Sequence, residues 1–171
     1  LLIQGGGSIC ASLDVAGAAY TVVDCPPVVC EANDGTLEAL LAEPCVSAGS
    51  SVILSAVTST PPVVPAGFST LYVLTQGPDL VIAAVDVLPL FIITTPGDYT
   101  IHTLVYDPAT LDLSIVVIGV TTGFDVNGLL IQGGGSICAS LDVAGAAFSV
   151  AECDNADLTF GLQSTAVLKD V

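Results

Sequence analysis

The chain of 171 residues sets 17 Asp plus Glu against a single Lys, for a formal net charge of −16, yet it is 53% hydrophobic with a mean hydropathy of +0.88. Without a cationic footprint it can neither neutralise nucleic-acid phosphates nor be drawn to anionic lipid, and it is too rich in Val, Ile and Leu for a disordered acidic tail. Its longest apolar run, residues 80–93, is interrupted by Asp86 and Pro89, short of the roughly 20 apolar residues of a spanning helix. No membrane insertion is expected.

In chain order, residues 1–25 come first, and they return. LLIQGGGSICASLDVAGAAYTVVDC recurs at residues 129–153 as LLIQGGGSICASLDVAGAAFSVAEC, with the first 19 positions identical and an offset of 128 residues. That offset is one domain length, so the chain reads as a tandem array. Residues 1–25 are the final hairpin of a preceding module or a donor segment, 26–153 a complete module, and 154–171 the start of a following module or a tail. Within the repeated segment Ile9, Leu13 and Val15, and again Ile137, Leu141 and Val143, alternate with polar residues as in a strand. Gly17-Ala18 then makes the tight turn of a hairpin. That register sets Cys10 opposite Cys25, and Cys138 opposite Cys153, within disulfide reach. Cys30 and Cys45 remain at the same spacing, which predicts three local disulfides and an oxidising compartment. No CxxC occurs and His102 is the sole histidine, which argues against zinc.

The middle of the chain alternates as an all-β unit. Residues 36–43 fit a short helix or a strand. Strands are expected over 51–57, 70–75, 80–87, 90–94, 99–106 and 111–120. They are punctuated by the proline-rich 61–67, by Gln76-Gly77-Pro78-Asp79, by Pro96-Gly97 and by Asp107-Pro108. Short strands with frequent turns predict an antiparallel sandwich, and Tyr99 after its turn is placed to form a tyrosine corner. Residues 80–85 and 114–118 are apolar on both faces, so their outer sides need cover from neighbouring modules or chains.

Residues 30–45 (CEA, GTL, then Cys45), YVLTQG at 72–77, PGDYTIHTLVYDP at 96–108 and GGGSICASLD at 133–142 together resemble the tandem repeat modules of very large secreted surface proteins of Bacteroidota, often exported by the type IX route. The resemblance covers roughly residues 30–153. It implies an Ig-like β-sandwich, here with an additional N-terminal β-hairpin and disulfides. It also implies an extracellular, cell-surface, adhesin-like or filament-like structural protein whose partner is another copy of itself, and not an enzyme.

Catalytic signals are absent from the sequence. His102 sits in a strand pattern, no GxSxG occurs, and Gly5-Gly6-Gly7 lacks the Lys and the helix of a phosphate loop. Calcium is the one candidate ligand, at Asp34, Asp107, Asp112, Asp154 and Asp157 near turns and module junctions. Turn formation explains the same residues more simply. The alternative reading is a secreted carbohydrate- or surface-binding module, calcium-dependent, with a glycan or surface ligand. Assembly is expected to rest on apolar burial, strand complementation and the six cysteines.

Overall fold

The computed structural model describes residues 17–18 and 30–153. Within them the strands are β1 (Thr36–Ala39), β2 (Cys45–Val46), β3 (Val52–Thr60), β4 (Ser69–Gln76), β5 (Val81–Asp86), β6 (Leu90–Ile93), β7 (Gly97–Tyr106), β8 (Ala139–Leu141) and β9 (Ala146–Glu152), with one helix, α1 (Gly123–Leu129). The fold is an all-β sandwich of two sheets. The first runs β1-β3-β6 and the second β2-β9-β7-β4-β5, with β8 also paired to β7. The region 36–43 resolves as a strand, because its residues 36–39 pair antiparallel with β3. No helix among the described residues is long and apolar enough to cross a membrane.

Strand alternation builds the first core between the sheets. Leu37, Leu54, Phe91 and Ile93 of the first sheet meet Leu74, Ile101, Phe148 and Val150 of the second. Tyr99 enters this core, and its hydroxyl donates back to the Thr95 carbonyl four residues upstream at 3.1 Å. A buried phenol ring thus finds a partner for its polar end.

The other face of the second sheet carries a second core. Val73, Ile82, Leu104 and Leu141 lie beneath Leu111, Val126 and Leu130. This corrects two expectations. Residues 111–120 are not a strand but a 3-10 turn over Leu113–Ile115 followed by further turns. The Asp112 carboxylate accepts from the Ser114 N–H at 2.9 Å and starts the turn. Gly119 N–H donates to the Ile82 carbonyl and Ile82 N–H to the Thr121 carbonyl, which hooks the segment onto β5. The apolar run is therefore a lid whose Leu113 and Val116 cover the sheet from within the chain, while its Ile115, Val117 and Ile118 remain exposed. Helix α1 completes the lid, started by a capping box in which Thr122 Oγ1 accepts from Asp125 N–H and the Asp125 carboxylate accepts from Thr122 N–H.

Candidate functional site

The residues that set this fold apart are those of the repeated segment. Residues 129–153 were expected to fold on themselves as a hairpin, and they do not. β8 pairs with one end of β7 (Ala139↔Tyr106 to Leu141↔Leu104) and β9 with the other (Ala146↔Ile101 to Val150↔Gly97). Both run antiparallel to β7, so the segment is one long strand with a wide bulge in it. Residues 142–145 on this strand stand opposite His102 and Thr103 alone. The alanine- and glycine-rich stretch that resembles a turn is this bulge.

His102 holds the bulge open. Its Nδ1 donates to the Asp142 carbonyl at 2.7 Å, since a carbonyl can only accept, which leaves Nε2 to accept from the Thr75 hydroxyl at 2.8 Å. Burial lowers its pKa below the usual histidine value, and the Asp142 carbonyl and carboxylate oppose that shift without reversing it. The imidazole is therefore a neutral, doubly bonded peg. Gly145 completes the bulge at φ +56°, and a Cβ there would meet the Ile101 carbonyl oxygen at 2.6 Å and His102 Nδ1 at 2.8 Å. Only glycine combines that dihedral with that proximity.

The start of the segment is clamped as well. The Gln132 carboxamide donates to the Leu141 carbonyl at 2.7 Å and accepts from Ser140 Oγ and Leu141 N–H. It serves β8 as a short stretch of neighbouring strand would. Gly133 and Gly135 pass against the carbonyls of Asn127 and Leu129 at the end of α1, too close for a side chain, while Gly134 takes φ +92°. The triple glycine is thus a packing device.

The far side of the closing strand meets residues 42–46. Ser149, Ala151 and Cys153 N–H groups donate to the Ala42, Pro44 and Val46 carbonyls at 2.8, 3.1 and 3.0 Å, and β2 runs parallel to β9. Both ends are then bonded covalently: Cys30 to Cys138, with Cα atoms 5.2 Å apart, and Cys45 to Cys153, at 4.9 Å. The local pairings Cys30–Cys45 and Cys138–Cys153 are corrected accordingly. Two segments of equal length run in the same direction, are joined covalently at each end and pair as strands only over 42–46 and 149–153. The equal 15-residue spacings were the available signal, because they suit two parallel rails as well as two hairpins. The bonds fit folding in an oxidising compartment.

Ile137, Leu141 and Val143 pack in the module's own second core, while Ile9, Leu13, Val15, Cys10, Cys25, Asp154 and Asp157 lie outside the described residues. Asp34 is half-buried beside Ser140 and Asp142, and burial raises its pKa. The Asp107 carboxylate accepts from Ala109 N–H at 2.9 Å, and hydrogen bonds from Ser114 lower the pKa of Asp112. Asp107 and Asp112 each serve their own turn, and among the described residues no three His, Cys, Asp or Glu side chains gather as a metal site. No protein-family model, curated protein or solved structure matches the chain.

Proposed function

We propose that the chain is a structural module of an extracellular tandem array, an Ig-like sandwich built into a filament or stalk-like adhesin at a cell surface. One observation carries this reading. The 25-residue segment present twice in the sequence supplies β8 and β9, the strand inserted alongside β7, with both C-terminal disulfide partners on it. A module needs that strand once, so a second copy belongs to a second module. The motif resemblance to repeats of secreted Bacteroidota surface proteins supports the same reading. So does the exposed apolar outer face of the first sheet, with Ile53, Leu90 and Ile92, a surface suited to contact between copies. A chain with one Lys among 17 carboxylates must associate through apolar faces and backbone pairing, since cross-subunit ion pairs are scarce. Negative-stain microscopy of the purified protein at physiological salt tests the proposal. Regular fibres or beaded chains are expected; isolated particles at every concentration would refute it.

A further inference from the structure

We propose that residues 1–25 form the closing strand of a second copy of the module, bonded there through Cys10 and Cys25 to the residues equivalent to Cys30 and Cys45, and that they cannot close the module that follows them in their own chain. This deepens the array reading and rests on it.

Three observations lead there. First, residues 1–19 repeat 129–147 without a change, so every group that shapes the strand's first half is present twice: the Gln132 clamp as Gln4, the bulge glycine as Gly17, the first cysteine as Cys10. Of the four differences, Thr21, Val23 and Asp24 correspond to Ser149, Ala151 and Glu152, which are exposed on β9. The fourth exchanges buried Phe148 for Tyr20. The same slot therefore accepts either copy.

Second, Gly17 adopts φ +55°, matching Gly145 at +56°. The glycine at this position thus takes the same left-handed dihedral in both copies.

Third, the chain cannot reach its own slot. Cys138 lies just beyond the Tyr106 end of β7 and Cys153 just beyond the Gly97 end. Nine residue steps of strand separate those ends, about 30 Å at roughly 3.3 Å each. With residues 1–25 in that slot, Cys25 would stand at the place of Cys153, and Cys30 would be bonded to Cys10 at the other end, with Cα atoms 5.2 Å apart as in the observed bond. At least about 25 Å would then have to be crossed between Cys25 and Cys30, and five residue steps span at most roughly 18 Å. Residues 129–153 escape this limit because they arrive from β7 through the lid. The slot that residues 1–25 fill is therefore on another copy.

Oxidative refolding of the full chain carrying Cys138→Ser and Cys153→Ser, over a range of concentrations, tests this. Non-reducing electrophoresis separates the products, and mass spectrometry of a peptic digest maps the bonds. Disulfide-linked dimers and longer species are expected, increasing with concentration, with Cys10–Cys30 and Cys25–Cys45 joining different chains. Either bond closed within a monomer, or Cys10 bonded to Cys25, would overturn the proposal. Because this variant can fail to fold, the wild-type chain is mapped in parallel in a glutathione buffer. There Cys10 and Cys25 of the monomer should alkylate with iodoacetamide while the other four cysteines do not; a monomeric Cys10–Cys25 bond would again overturn it. An intrachain bond defeats this proposal and leaves the array intact, whereas isolated particles under the microscope defeat the array.

Discussion

Strand β7 has two neighbours, and they are held in different ways. On one side β4 pairs with it over eight consecutive residues without a break, from Ser69↔Tyr106 to Gln76↔Tyr99. On the other side β8 and β9 arrive 33 to 53 residues beyond their partners (Tyr106↔Ala139 to Gly97↔Val150), leave a gap at His102 and Thr103, and are bonded covalently at each end. The β4 side closes over 23 to 37 residues (Gln76↔Tyr99 to Ser69↔Tyr106), with β5 and β6 between, and needs only its own alternation. The closing strand must come across the lid, and loop-closure entropy opposes it. Its bulge peg, glutamine clamp and disulfides offset that cost locally. On the proposal above, a sheet whose inner strand is added in this way takes the same strand from another copy.

The largest way to erase the difference is to remove both disulfides. Each spans 108 residues, and a loop near that size stabilises by about 5 kcal/mol in the chain-entropy model. Once one bond is made, the second closes only a ring of the two 15-residue stretches and adds about 3.6 kcal/mol on the same scale. Urea unfolding of Cys45→Ser and of Cys45→Ser with Cys138→Ser should therefore show a smaller loss for the first change than for the second. Equal losses would mean the bonds act independently. Next in size, Phe148→Ala should cost about 3–5 kcal/mol. It should speed hydrogen exchange in β9 far more than in β4; a uniform rise across both strands would show that β7 holds its neighbours alike.

His102→Leu comes third. It leaves the Asp142 carbonyl and the Thr75 hydroxyl without their imidazole partners, at about 1–3 kcal/mol for each group left buried and unpaired. The pH dependence gives a separate reading. The folded-state pKa of His102 lies below the ordinary 6.5, so on acidification the unfolded chain takes up the proton first. Stability should be flat with respect to this group above pH 6.5 and fall as pH drops from there towards the lowered value. The slope should vanish in His102→Leu, measured by thermal unfolding between pH 7.5 and 5, and its survival would place the titration elsewhere. Smallest is Thr122→Ala, which removes the α1 capping box for about 1 kcal/mol. It should loosen the lid and leave exchange in β4 and β9 nearly unchanged.

Where a strand lies on a clear apolar or alternating run, pattern and punctuation are enough. β3 to β7 all fall on such runs, separated by segments that contain Gly or Pro, and Tyr99 is legible because its turn precedes it. Residues 111–120 mislead, because an apolar run looks the same whether it pairs as a strand or packs as a lid. The bulge misleads because Gly145 at positive φ serves a hairpin turn equally well, and only β7 beneath it decides. Cysteine connectivity is not contained in spacing alone. Three pairs 15 apart fit hairpins, and four of those cysteines also fit two parallel rails crossed by bonds of equal length.

The disulfide map of the oxidised full chain tests the central claim most directly. Peptides joining Cys30 to Cys138 and Cys45 to Cys153 are expected, the bonds that hold an inserted strand between β2 and β7. Peptides joining Cys30 to Cys45 and Cys138 to Cys153 would contradict it, because residues 129–153 would then be a hairpin closed on itself.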